Sequence, residues 1–140
     1  MSKRNTFTND ERAFIQRQRV LRFNSVTPSG QVHSVPICFA IDGNTLYLHR
    51  SNPNTRRWKN IEKNGIASVE LDHYVDDWSE NAGVLAYGVA SFLDREEDAE
   101  RRRALSLLKN RYVQYRSMLK DDTVIVKFKP NDIKSWSPGE

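Results

Sequence analysis

Several things are scarce in this 140-residue chain, and each scarcity closes off a class of protein. There is one cysteine, Cys38, which excludes an internal disulfide and any cysteine-rich metal centre. No apolar run approaches the roughly 18 residues that a membrane-spanning helix needs. The opening residues, Met1-Ser2-Lys3-Arg4-Asn5, lack the apolar stretch of a secretory leader. Internal repeats and low-complexity segments are missing. Neither sign of charge dominates: 22 basic residues against 18 acidic leave +4, a mildly basic balance that does not by itself imply a nucleic-acid partner. Histidines number three and stand apart. Asp72, His73, Asp76 and Asp77 therefore lack the nearby second imidazole that would argue for a metal site, and a structural role at a strand end suits them better. The expectation is one soluble, cytoplasmic domain over residues 1–140, with no membrane and no nucleic acid among its partners.

What is present is a folding composition, 38% hydrophobic and 10% aromatic. A chain of this length buries about two-thirds of its unfolded surface. Thr8-Asn9-Asp10-Glu11 reads as a capping box opening a helix to about Gln18, with Ala13, Phe14 and Ile15 as its buried contacts. Strands follow over 20–26 and 32–41, joined by the turn Thr27-Pro28-Ser29-Gly30. Asp42-Gly43-Asn44 signals a hairpin into a third strand, Thr45 to His49. Asn52 or Asn54 can cap the next helix, with Pro53 in its first turn, and Asn64-Gly65 ends it.

Alternation then predicts a fourth strand over 66–73 and a fifth over 83–93, where Gly88 implies a bulge or a close backbone approach. Asp94-Arg95-Glu96-Glu97 is a second capping box. The helix it opens should break near Asn110. Its run of cations around Arg101-Arg102-Arg103 is balanced by Glu96, Glu97, Asp98 and Glu100, so a solvated face accounts for it. A sixth strand runs from Thr123 to Lys129, where Pro130 should stop it, and Trp136 follows in a short tail. Six mostly antiparallel strands with peripheral helices make a closed or half-closed barrel, with residues 8–18 as an N-terminal helix and 19–136 as the barrel.

The segment from Arg19 to Asn60 is the informative one. In its long strand His33, Val35, Ile37, Phe39 and Ile41 share one face, while Ser34, Pro36, Cys38 and Ala40 share the other. The first face belongs to a core. The second, stripped to small groups, lets something flat lie against the backbone, unless a helix packs there instead. Downstream, Ser51, Thr55, Arg56, Arg57 and Lys59 bring hydroxyls, cations and a helix start together, which suits a phosphate. No motif supplies Cys38 with a general base, so it reads as a lining residue rather than a nucleophile.

These residues resemble a known family, the FMN-binding split β-barrels related to pyridoxamine 5'-phosphate oxidase, and within it the probable coenzyme F-420-dependent subgroup. The likeness is carried by the segment from Gly30 to Gly43, by Lys59-Asn60-Ile61, by Leu71-Asp72-His73-Tyr74 with Asp77-Trp78, and by Arg111-Tyr112-Val113-Gln114-Tyr115. It implies a six-stranded antiparallel split barrel that forms a homodimer with two cofactor sites at the subunit interface. It places the ring of FMN or coenzyme F-420 near Val35, Pro36, Ile37 and Cys38, and the phosphate near His49, Ser51, Thr55, Arg56, Arg57 and Lys59. Trp78 would come from the second subunit. The implied activity is hydride transfer to a small-molecule acceptor, with the chemistry supplied by the cofactor and no catalytic side chain. Relatives tend to carry bulky aromatics after Asp-Trp, whereas this chain has Ser79-Glu80-Asn81-Ala82-Gly83. That more open wall would suit a non-catalytic carrier of flavin, or of haem with His49 as the one candidate axial ligand.

Overall fold

Two residues, Cys38 and Phe39, join strands that lie on opposite edges of the same sheet, and this decides the architecture. The computed structural model describes residues 3–138. Its strands are β1 (Leu21–Val26), β2 (Val32–Ile37), β3 (Ala40–Asp42), β4 (Thr45–His49), β5 (Ile66–His73), β6 (Ala82–Leu93) and β7 (Ile125–Trp136). They form one antiparallel sheet in the order β2-β1-β5-β6-β7-β4-β3. With two residues between them, Ile37 and Ala40 can lie no more than about 10–11 Å apart, so the sheet must curl until its edges meet. The result is a split β-barrel.

Seven strands stand where six were expected because the strand over 32–41 breaks in its middle. Ile37 pairs with Leu21 on β1, whereas Ala40 pairs with Tyr47 on β4. Elsewhere alternation places the chain well: β4 and β5 fall on the expected residues. The Gly88 expectation also holds. Register shifts between Tyr87 and Gly88, and a Cβ at Gly88 would sit 2.1 Å from the Lys129 carbonyl oxygen.

That bulge corrects one expectation. Pro130 does not stop the last strand; it pairs with Gly88 inside β7, which continues to Trp136. Asp132 is the next paired residue, so Asn131 is the extra one and Pro130 sits at an irregularity of the ladder. Trp136 lies against Gly83, where an added Cβ would fall 2.1 Å from its ring, and its Nε1–H donates to the Tyr74 hydroxyl at 2.8 Å.

Among the described residues, four α-helices pack around the barrel: α1 (Asn9–Arg17), α2 (Arg56–Asn64), α3 (Asp98–Arg111) and α4 (Tyr115–Met118). The Thr8–Glu11 capping box forms, and Glu11 also takes two hydrogen bonds from the Arg4 guanidinium, at 2.6 and 2.9 Å. Of the three contacts expected from α1, Ile15 is buried and Phe14 half-buried, but Ala13 is exposed.

The core has two parts. Inside the barrel lie Phe23, Phe39, Leu46, Leu48, Trp58, Val69, Val126 and Phe128. Outside it, α3 and α4 press Leu105, Leu108, Tyr112 and Tyr115 onto Ala40, Tyr47 and Ile125. This is why Leu46, Tyr47 and Leu48 are all buried: both faces of β4 are covered.

Candidate functional site

The small face of the broken strand is divided in two. Ser34 and Pro36 remain exposed, with Val35 and Ile37 half-buried behind them against the barrel core. Ala40 is buried and Cys38 half-buried, because both pack against the outer cluster beneath α3 and α4. The platform is therefore open from Ser34 to Pro36, narrows at Cys38 and closes at Ala40. As an edge strand, β2 also leaves backbone N–H and C=O groups unpaired along its free side.

Beside this platform, α2 starts in an unusual way. Its N-cap is Thr55, not Asn52 or Asn54, and no side chain caps it. The Thr55 hydroxyl turns back to the Asn52 carbonyl at 3.0 Å, and Asn52 Oδ1 accepts from the Asn54 amide at 3.0 Å, so both are used up in the turn before the helix. The first turn holds no acid and two arginines, Arg56 and Arg57. Cations at the positive end of a helix dipole are normally unfavourable, by roughly 0.3–1 kcal/mol each. An anion at that position reverses the sign, and uncapped N–H groups are its natural donors.

The helix is held firmly. Trp58 is buried against Phe23 and Phe92, with ring centroids at 5.5 and 6.3 Å. Its Nε1–H donates to the Ser51 hydroxyl at 3.2 Å, and buried Asn60 donates to buried Ser25 at 3.0 Å. Arg57 stacks over Trp58 at 5.5 Å, and its Nε is buried without a partner. Arg50 lies over Phe92 at 5.2 Å. Among the described residues, the ion pairs involve Arg4, Arg101, Arg102, Arg103, Lys127 and Lys134, and none involves Arg50, Arg56, Arg57 or Lys59. Four cations thus gather at one end of the barrel without carboxylate partners.

His49 ends β4 and is half-buried between this cluster and a pocket. Burial, and then the charge of Arg57, hold its pKa below the ordinary value, so the imidazole is neutral. Its Nδ1 is buried and unpartnered, and its ring meets Tyr115 edge-on at 5.1 Å. The pocket encloses about 450 Å3, with Arg19, Cys38, His49, Tyr112, Tyr115 and Met118 among its walls. Burial, reinforced by Cys38, raises the Tyr115 hydroxyl well above its usual pKa.

The structure thus gathers His49, Ser51, Thr55, Arg56, Arg57 and Lys59 around the start of α2, with Cys38 sharing the pocket of His49. Trp78 lies apart from them. It is 78% exposed on the short turn Trp78–Glu80, which Asp77 caps by accepting from the Ser79 amide at 3.1 Å. That turn follows β5 at the end opposite Gly65 and α2. Sequence reasoning missed Tyr112, Tyr115 and Met118 as pocket walls. The signal was the helix break itself, which α3 and α4 confirm after Arg111, because a break with two tyrosines turns side chains into a corner.

Comparison with known proteins places this geometry. A search of curated proteins gave no match. Among solved structures, the haem storage protein HutZ from Vibrio cholerae is 16% identical with a TM-score of 0.72, covering 91% of this chain and 92% of its own. A FAD-binding protein from Mesorhizobium loti is 18% identical with a TM-score of 0.71, covering 93% of each chain. An F420 reductase is 16% identical with a TM-score of 0.66, covering 91% of this chain and 98% of its own. At these identities the likeness establishes the fold. The pyridoxamine 5'-phosphate oxidase family matches directly over residues 7–137, and the chain belongs to that family.

Proposed function

We propose that this protein is a flavin- or deazaflavin-dependent oxidoreductase that binds FMN or coenzyme F-420 and passes hydride to a small-molecule acceptor. The observation that carries this reading is the start of α2: an uncapped helix N-terminus with two arginines in its first turn and the Arg57 Nε buried without a partner. Those residues fit a phosphate. Arg56, Arg57 and Lys59 would hold it, with the hydroxyls of Ser51 and Thr55 alongside. The open platform of Ser34 and Pro36 would receive a flat ring, and the unpaired backbone groups of the β2 edge would fix its orientation. The bound cofactor would supply the hydride. Arg50, unpaired like the others, could also meet the extra carboxylates of a coenzyme F-420 tail.

The reading includes a homodimer in the cytoplasm, in which the second copy covers the ring and contributes Trp78. An exposed Trp78 far from its own chain's cations supports this, as do Val32, Ile66, Tyr87 and Val89, which are 71%, 57%, 45% and 53% exposed on the outer sheet. None of the helices is long and apolar enough to cross a membrane among the described residues.

A second reading is a non-catalytic carrier of flavin or haem. It is favoured by His49, a neutral imidazole beside an aromatic pocket, the form an iron takes as ligand. Parallel titrations of the purified protein with FMN, coenzyme F-420 and haem separate the two. Micromolar or tighter binding of one flavin or deazaflavin, near one per subunit and weakened about 10- to 100-fold by Arg57→Ala, supports the oxidoreductase. Binding of haem alone supports the carrier. Binding of none of the three overturns both.

A further inference from the structure

The pocket below α4 has more chemistry than a phosphate clamp requires. Its walls are mostly apolar and aromatic, with Tyr112, Tyr115, Met118 and Cys38 among them. Arg19 borders it, with its guanidinium 5.8 Å over the Tyr112 ring. Of the side chains bordering it that keep a free hydrogen-bond donor, Arg19 and Gln114 are exposed, and His49 is the half-buried one.

The imidazole's tautomer follows from its surroundings. Nδ1 is sealed from solvent and has no partner, and the neighbouring Arg57 Nε is sealed and unpartnered too. Burial, and then the charge of Arg57, favour the neutral ring. A sealed N–H would need an acceptor, and none reaches Nδ1. The ring proton therefore belongs on Nε2. That nitrogen makes no hydrogen bond within the protein and is not among the sealed atoms, so it is the one available to the pocket.

We propose that this pocket is the site of the second reactant, and that it takes a flat, uncharged aromatic ring bearing a carbonyl oxygen, which accepts a hydrogen bond from His49 Nε2. Edge-on and stacking contacts from Tyr112 and Tyr115 select the ring. The half-buried imidazole N–H selects the carbonyl, since a hydrocarbon would leave it unpaired. Naming the occupant a reactant rests on the oxidoreductase reading, but the recognition itself does not.

The chain has two methionines, Met1 and Met118, so methyl-labelled protein reports the pocket through one assignable signal. We would titrate cofactor-free protein with three probes of equal size: 1-indanone, which carries a carbonyl; indole, which carries only a donor; and indane, which carries neither. The expected result is saturable movement of the Met118 methyl resonance, with 1-indanone several-fold to about tenfold tighter than indane. His49→Leu should bring the two together. Binding should persist when FMN or coenzyme F-420 is added. The proposal is overturned if Met118 does not respond, if indane or indole binds as well as 1-indanone, or if the cofactor displaces the probe. Because the first titrations need no cofactor, failure of the cofactor to bind would be seen separately, and the probe comparison in unaltered protein stands even if His49→Leu does not fold.

Discussion

The Phe39 amide donates to the Tyr112 hydroxyl at 3.1 Å, across 73 residues of chain. Phe39 sits where β2 ends and β3 has not begun, so its amide has left one ladder without entering the other. Tyr112 accepts it, donates its own O–H to the Arg19 carbonyl at 2.7 Å, and also accepts from Arg111 Nε at 3.1 Å. One hydroxyl thus closes the seam of the barrel and pins the corner between α3 and α4 to it. Tyr112→Phe should leave a buried amide without an acceptor and lower stability by about 1–3 kcal/mol in chemical denaturation. A change near zero would mean that the seam is satisfied some other way.

Gly88 and Gly43 separate two reasons for glycine. At Gly88 an added methyl would meet the Lys129 carbonyl oxygen at 2.1 Å, and backbone must move to admit it. At Gly43, with φ of 61°, nothing lies within 4 Å and the cost is conformational. Gly43→Ala should lose about 1–2 kcal/mol, and Gly88→Ala about 3 kcal/mol or more. Equal losses would contradict the bulge geometry.

These two glycines also show what was legible in the chain. The positions of β4 and β5 follow from local alternation, the hairpin residues before β4 and the Asn64-Gly65 cap before β5, all of which act within a few residues. Gly88 was readable as a bulge for the same reason. Pro130 was misleading because its tolerance depends on a residue 42 positions away, the Gly88 it pairs with. The burial of Ala40 and half-burial of Cys38 depend on α3 and α4 docking there, which no periodicity within the strand records. The cations of the clamp were visible as residue types. That Thr55 would decline to cap α2 was not, since it turns on a hydroxyl choosing Asn52.

Glu70 brings a pH dependence. Burial, and then its neighbour Asp72 on the same face of β5, push its carboxyl up to about 7, against a partial offset from Arg22. Between about 4.5 and 7 the folded chain keeps a proton that the unfolded chain has released, so stability falls as pH rises through that window. Glu70→Gln should therefore be more stable than the parent at pH 8 and lose that advantage near pH 5, as measured by urea denaturation at both. A constant difference at the two pH values would contradict the shift.

Thr55→Asp tests whether α2 has been left uncapped for a ligand. A carboxylate there would accept from the first-turn amides and face Arg56 and Arg57, raising stability by about 0.5–2 kcal/mol. It would also occupy the place of a phosphate, so affinity for FMN should fall at least tenfold. Tighter or unchanged FMN binding in the more stable variant would contradict the anion site.

The most direct measurement compares FMN with riboflavin, which has the same ring and ribityl chain and lacks only the phosphate. The account places the phosphate on the α2 N-terminus with Arg56, Arg57 and Lys59, and each charged hydrogen bond there should contribute about 1.5–3 kcal/mol. FMN should therefore bind at least tenfold tighter than riboflavin, with the advantage shrinking as salt is raised. Equal affinity for the two would show that the cations at the start of α2 do not hold a phosphate.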